Sequence, residues 1–435
     1  MEPVPLRVAL ISEHASPLAA AGGVDAGGQN VYVAQVAQGL AEAGHQVDVL
    51  TRRDDPRLPA AVDLRPGVRV MHIDAGPSEF VPKEQLLGYM PAFADAARRL
   101  FEHRGGYDVI HANFFMSGYV GLALRRRFGV PLAVTFHALG LVRLEHQGAA
   151  DGFPPERIAI ERTLVQRAER VIAECPQDEA DLIRLYGARP ERLACVPCGV
   201  DSQAFRPGDK AAARRRLGLP AHEFIVLQLG RLVPRKGIDN VIRAMAGWPD
   251  DVAARLVVVG GATVEPDEQA TPEIARLRSV ARAAGVDSRV HFAGRRDRDQ
   301  LRDWYVAADA FVTTPWYEPF GITPLEAMAC GTPVVGSAVG GIAHTVQHGV
   351  TGYLVPPHDP AALRERLLEL QCNPALAAAL GRAGVHRVRS LFTWQRVAGQ
   401  LVSVYASLRR PQRLPQRALL SLVPRAPASA SMGAP

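Results

Sequence analysis

Lysine is nearly missing from this chain: among 50 lysines and arginines, only Lys83, Lys210 and Lys236 are lysines. Each is therefore a candidate for a place where a compact ammonium does what a planar guanidinium cannot. Cysteine is scarce too, limited to Cys175, Cys195, Cys198, Cys330 and Cys372. An odd, scattered set argues against a disulfide framework and suits a reducing compartment. Cys195 and Cys198 have C-x-x-C spacing, but no second Cys or His pair stands near them, which argues against a metal or redox site. No apolar run reaches ~18 residues, so no transmembrane helix is expected. The first twelve residues lack the apolar core and cleavage site of a signal peptide and read as a strand, so a cytoplasmic location is the expectation.

Acidic residues are absent after Glu369, while nine arginines follow it: Arg382, Arg387, Arg389, Arg396, Arg409, Arg410, Arg413, Arg417 and Arg425. The net charge of +6 is thus a property of the C-terminal end. It is not a groove-lining stripe, which argues against a nucleic-acid partner. Such an end is either simply solvated or able to touch an anionic membrane surface. Oligomeric state is left open.

What is present is a globular composition, 48% hydrophobic and 22% charged, in a chain of 435 residues that is too long for one ordinary core. Short apolar strands alternate with helical stretches. Arg7–Ile11, the loop 21–28, the helix Val31–Glu42 and the strand Val47–Thr51 form a strand–loop–helix–strand unit of the kind that builds parallel sheets. Strands 68–73, 109–112, 132–135, 170–173 and 193–196 continue it. A turn-rich stretch, Pro197–Asp201 and Phe205–Gly208, interrupts the pattern. It restarts with strands 224–229, 254–259, 290–292, 310–313 and 333–337 and their helices. The expected fold is α/β, with two doubly wound, Rossmann-like domains facing across a cleft. The expected division is 1–205 for the N-terminal domain, 206–393 for the C-terminal domain, 394–410 for a crossover helix and 411–435 for a disordered tail.

Three loops sit where the carboxyl ends of strands would open into that cleft. Gly22–Asn30 is glycine-rich and precedes the first helix. It is not G-x-G-x-x-G, so a nicotinamide fingerprint is unsupported. Gly230–Gly237 follows the first strand of the second domain and puts Arg231 and Lys236 around a proline turn before a helix, which suits a diphosphate. Trp316–Ser337 puts Glu318 and Glu326 on either side of a Pro-Phe-Gly turn. Thr323 reads as an N-cap and Pro324 as the first helical residue, placing free N–H groups between the carboxylates. His137 ends a strand and would face the cleft, although read alone a satisfied structural histidine is the first reading there.

Taken together, the Gly28 loop, His137, the Arg231-x4-Lys236 loop and the Glu318-x7-Glu326 segment resemble the retaining glycosyltransferases of the GT-B fold. More narrowly, they are similar to family 4, which includes sucrose-phosphate synthases and the inositol-phosphate glycosyltransferase of mycothiol synthesis. The resemblance covers about residues 6–408. It implies that Arg231 and Lys236 bind the donor diphosphate and that Gly28 approaches it. Glu326 would hold the ribose, and the backbone of Phe320, Gly321, Ile322 and Thr323 would meet phosphate and sugar. His137 and Glu318 would act at the transferred sugar as the catalytic pair. The loop after Gly294 would pass the base mainly through backbone groups. The resemblance implies no metal, no cofactor and no protein nucleophile, since the leaving phosphate assists front-face attack.

On the acceptor side the same resemblance points to His14, Asp25, Gln29, Asn30, Lys83, Phe114, Thr135 and Arg157. Lys83 and Arg157 fall where the two subgroups grip an acceptor phosphate. Phe114 stands where the inositol-phosphate enzymes have a tyrosine, so one hydroxyl contact is missing. The resulting expectation is a hexosyltransferase using a UDP-sugar, glucose or N-acetylglucosamine, with a hydroxyl acceptor that is a sugar or polyol phosphate. GDP-mannose with a lipid or polysaccharide acceptor stays open. A phosphorylase of this fold should bring a late lysine for pyridoxal phosphate, and none is present. A non-catalytic nucleotide-sugar binder should have lost Glu318, His137 or Lys236, and all three are present.

Overall fold

A computed structural model describes residues 5–19, 27–249 and 252–408, so Asp25 and the basic end beyond Leu408 lie outside the described residues. The first sheet contains β1 (Arg7–Ile11), β2 (Gln46–Arg52), β3 (Ala61–Arg65), β4 (Val68–Ile73), β5 (Val109–Asn113), β6 (Leu132–Thr135), β7 (Arg170–Ala173) and β8 (Leu193–Cys195). Their order is β3-β4-β2-β1-β5-β6-β7-β8, parallel except for β3, which pairs antiparallel with β4. The second sheet contains β9 (Phe224–Leu229), β10 (Ala254–Val259), β11 (Val290–Gly294), β12 (Ala310–Thr313), β13 (Val334–Ser337) and β14 (Gly352–Val355), all parallel in the order β11-β10-β9-β12-β13-β14.

The apolar runs explain the parallel pairing. β5, β6 and β12 are buried at every residue, as strands covered by helices on both faces must be. In each sheet the strand order reverses once beside the first strand, between β1 and β5 and between β9 and β12. At such a switch point the helices leave in opposite directions and a crevice opens beyond the carboxyl ends of the strands. The segments leaving those ends are Ser12–His14 and Phe114 in one sheet, and Gly230–Arg231 and Thr314–Glu318 in the other.

The helix Trp394–Leu408 returns to the first sheet. The Tyr405 hydroxyl lies 2.7 Å from Nδ1 of buried His111, and the Trp394 ring meets Tyr32 edge-on at 6.0 Å. This helix crosses the helix Gly28–Glu42 so closely that a Cβ on Gly39 would stand 2.8 Å from the Cβ of Ala398.

Most expected strands match to within a residue, and the differences have local causes. The first helix starts at Gly28, three residues before the expected Val31, because Gly27 takes the N-cap role and Asn30 accepts its N–H. The helix that follows Glu318 runs Ile322–Ala329, with Gly321 as N-cap at φ 85°. Thr323 and Pro324 therefore lie inside the first turn and do not start it. Strand β3 was not expected: it is a short edge strand whose exposed residues alternate with half-buried ones. The helix Pro374–Leu391, also unexpected, packs against the helix Ile322–Ala329. Among the described residues no helix is long and apolar enough to cross a membrane.

Adding one methyl at the crossing should cost what overpacking a tight interface costs. Gly39→Ala is expected to lower stability by about 1–3 kcal/mol in urea unfolding. Ala398→Gly in the same chain should restore most of the loss. Unchanged stability in the single variant would show that the crossing can separate freely.

Candidate active site

A cleft of about 590 Å³ lies between the two switch points. On the C-terminal side, β9 ends at Leu229 and the chain turns through Gly230 and Arg231 into a tight turn, Pro234–Lys236, that Gly237 closes at φ 64°. The Lys236 ammonium donates to the Glu318 carboxylate, and an Arg235 nitrogen stands 3.8 Å from the same oxygen. Burial alone would push the Glu318 carboxyl up, but Lys236, Arg235 and Arg231 outweigh it and hold the group below the usual carboxylate range. Burial lowers the Lys236 ammonium from its ordinary value against the opposing pull of Glu318. The pair is a charged unit short of water, which a ligand's phosphate can reorganise.

Glu326 is 2% exposed. One of its oxygens accepts from the Tyr305 hydroxyl at 2.8 Å, and the other lies 2.9 Å from Arg298 in a geometry too bent for a hydrogen bond. A buried carboxylate oxygen with unused lone pairs suits a vicinal diol. The residues Phe320, Gly321, Ile322 and Thr323 line the cleft between the two glutamates. They carry N–H groups of a helix N-terminus, the natural seat of an anion.

The N-terminal side is organised by the ends of β1, β5, β6 and β7. His137 follows β6 at φ 58°, and Phe114 follows β5 at φ 87°, both in a region that bulky residues seldom adopt. Such outliers side by side at strand ends point to a constrained site. His137 Nδ1 lies 3.0 Å from the carboxylate of buried Glu174, and its Nε2 lies 3.0 Å from Asn113 Oδ1. Burial raises the Glu174 carboxyl, but His137 more than compensates and the group stays below its usual range. The two domains touch beside this point. The Cys175 thiol donates to the Pro319 carbonyl at 3.3 Å, Gln147 bonds the Tyr317 hydroxyl, and His146 stacks on the Tyr317 ring at 5.0 Å.

The cleft brings together Gly28, His137, Arg231, Lys236, Glu318, Phe320 to Thr323 and Glu326 from the donor and catalytic expectations. A Cβ on Gly28 would sit 3.7 Å from Ile322 across the cleft, an ordinary van der Waals contact, so the two walls come close at this point. His14, Gln29, Asn30, Lys83 and Phe114 also line it. Gln29 and Asn30 spend their amides on the fold: Gln29 donates to Ser12 and to the Asn113 carbonyl, and Asn30 donates to the Ser16 carbonyl while capping Gly27.

Two acceptor-side expectations need correction. Thr135 is fully buried, with its hydroxyl 2.8 Å from His111 Nε2. Arg157 is 1% exposed, paired with Glu161 at 2.7 Å and bonded to the Ala138 carbonyl, with the rings of Phe114, Phe115 and Phe153 around its guanidinium. Neither is among the residues lining the cleft: the Thr135 hydroxyl is turned to His111, and the Arg157 guanidinium is packed against the Phe114 ring.

Sequence reasoning missed Arg143, Arg235, Arg295, Arg296, Arg298, Glu174 and Tyr317, all of which line the cleft. The loop after Gly294 was expected to act through its backbone, yet it supplies three arginines. The local signal was the run Gly294-Arg295-Arg296-Asp297-Arg298 itself. Arg143 and Glu174 gave none, since only the sheet order brings them here.

Residues 26–204 match the family described as Glycosyltransferase Family 4, and residues 209–387 match Glycosyl transferases group 1. The chain is 43% identical over 409 residues to D-inositol 3-phosphate glycosyltransferase 1 of Catenulispora acidiphila, covering 93% of this chain and 96% of that protein. It is 41% identical over 410 residues to the D-inositol 3-phosphate glycosyltransferase of Thermobispora bispora, covering 92% and 94%. Among solved structures, sucrose-phosphate synthase from Thermosynechococcus elongatus superposes with a TM-score of 0.85 at 38% identity, over 93% of this chain and 99% of that one. Anabaena Alr3699/HepE in complex with UDP and glucose shares the fold with a TM-score of 0.72 at 23% identity, over 92% and 100%. The cleft between two parallel sheets, the chain-long identity and both matched families agree, and the chain belongs to the retaining glycosyltransferases of family 4, with the GT-B fold.

Proposed function

We propose that the enzyme transfers a hexosyl unit from a UDP-sugar to a hydroxyl of a phosphorylated polyol or sugar, with inositol phosphate the first acceptor to try. The observation that carries this reading is the charge on both walls of the cleft. The C-terminal wall presents Arg231, Arg235 and Lys236 beside a helix N-terminus, and the N-terminal wall presents Lys83 and Arg143. One wall suits the donor diphosphate and the other a second phosphate. The names of the relatives support it: inositol 3-phosphate appears in one group and sucrose-phosphate in the other. UDP is favoured over GDP and ADP, and the HepE structure holds UDP within the same fold.

In this reading the diphosphate lies over Lys236 and the N–H groups at Gly321–Thr323, which neutralise the charge that builds as the anomeric bond breaks. Glu326 takes the ribose hydroxyls, Glu318 and His137 the sugar. The anomeric carbon gains oxocarbenium character next to the carboxylates. Tyr317, His146 and Gln147 hold the walls together and limit water, which would otherwise hydrolyse the donor. We assign the acceptor phosphate to Lys83 and Arg143, since Arg157 stands behind the Phe114 ring.

Incubation with UDP-, GDP- and ADP-sugars and a set of inositol and hexose phosphates, read as nucleotide release and product mass, tests the reading. Transfer confined to GDP-mannose, or to unphosphorylated acceptors, would replace it. Lys236→Ala is expected to cut donor kcat/KM by about 10²-fold or more. An unchanged value would remove Lys236 from the diphosphate. Lys83→Ala should raise the KM of a phosphorylated acceptor by about ten- to a hundredfold, the worth of a hydrogen bond to a charged group. Equal loss with a neutral acceptor would contradict a phosphate role.

A further inference from the structure

Glu13, which follows β1, is fully buried, yet it has no lysine or arginine partner among the described residues. Its carboxylate is held by two neighbours. The Ser117 hydroxyl donates to Oε2, and His14 Nδ1 lies 2.7 Å from Oε1. Ser117 in turn accepts the Glu13 backbone N–H at 3.2 Å and sits in the first turn of the helix Phe115–Phe128, whose N-terminal end favours a carboxylate. A carboxylate oxygen only accepts, so His14 Nδ1 carries a proton and donates it to Glu13. The His14 ring lies in the cleft wall, packed edge-on to Phe114 at 5.1 Å. Its Nε2 has no hydrogen bond to any described residue.

We infer that Glu13 is a positioning residue that fixes His14 in the Nδ1–H tautomer, so that Nε2 accepts a hydrogen bond from a hydroxyl of the incoming acceptor. The inference rests on the acceptor reading above and deepens it. With the proton on Nδ1 alone, Nε2 offers a lone pair, which attracts an O–H and repels a phosphate oxygen. The dyad thus sorts the acceptor's two ends, turning a hydroxyl towards His14 and leaving the phosphate to Lys83 and Arg143. Buried Ser117 completes the chain by fixing Glu13, as an outer partner fixes a ligating histidine. Phe114 carries no hydroxyl of its own, and His14 beside it supplies the polar contact at that part of the wall.

Two measurements test this on the full-length protein. Long-range proton–nitrogen NMR of histidine-labelled protein reads tautomers directly, and comparison with His14→Gln picks His14 out of the 13 histidines. The expected signal is Nδ1–H in the wild type, with loss of that preference in Glu13→Gln. A wild-type Nε2–H tautomer would overturn the inference whatever the acceptor proves to be. The second measurement is transfer from UDP-N-acetylglucosamine to D-inositol 3-phosphate. Glu13→Gln and His14→Ala should each raise acceptor KM by about tenfold. Donor KM should move far less than acceptor KM, and unchanged far-UV circular dichroism and thermal unfolding show that the variants fold. The double variant should be no worse than His14→Ala, because Glu13 acts only through the ring. Additive losses, or an unchanged acceptor KM, would overturn it. No transfer by the wild type would overturn the acceptor reading itself and this inference with it, while the NMR result would still report on the dyad.

Discussion

The site depends on an excess of positive charge in one wall of the cleft. Arg231, Arg235, Lys236, Arg295, Arg296 and Arg298 line the C-terminal side, against the carboxylates of Glu318 and Glu326. Charges of one sign held this close are costly in a medium of low dielectric. The protein offsets part of that cost by pairing Lys236 with Glu318 and Arg298 with Glu326. What remains is a wall with a net positive charge, and in the proposed reading its cations meet a diphosphate and stabilise the charge that develops when the sugar leaves. Binding and catalysis draw on the same imbalance.

The N-terminal wall solves a different problem with a repeated device. Each of its cleft-facing histidines has Nδ1 against a buried carboxylate, His14 against Glu13 and His137 against Glu174. The carboxylates follow β1 and β7, so the sheet fixes them and they fix the rings. Next to them the backbone is strained at Phe114 and His137. Such conformations persist only where surrounding packing over-determines them. The packing here is supplied by Tyr32, whose ring meets His137 at 4.8 Å and Trp394 at 6.0 Å. The returning C-terminal helix thereby supports the histidine from behind, and Gly39 lets that helix come close enough to do so.

Much of this was legible along the chain. Apolar runs alternating with helical stretches specify two parallel sheets, because only strands covered on both faces can be apolar throughout. The paired motifs at the strand ends mark the C-terminal wall of the cleft, where cations and a helix N-terminus lie within a few residues of each other. The N-terminal wall was harder to read. Lys83 belongs to a connection between β4 and β5, Arg143 to one after β6, and nothing in their local sequence distinguishes them from surface charges. Arg157 shows the opposite failure: its sequence position fits a phosphate ligand, but a cage of three phenylalanines and a salt bridge with Glu161 takes it out of reach. Gly321 was misread in favour of Thr323 because a cap at positive φ is a property of the fold around it.

The sequence by itself determined the fold class, the family and the two motifs that line the C-terminal wall of the cleft, because each of these is written in short-range patterns: period, turn chemistry and motif spacing. Only the tertiary structure decided which charges face the cleft, that His14 and His137 are each backed by a carboxylate, and that the two domains meet at Tyr317. Those facts depend on strand order. The reversal between β1 and β5 brings Glu13 to Ser117 across 104 positions of sequence, and no local pattern encodes a partner that distant.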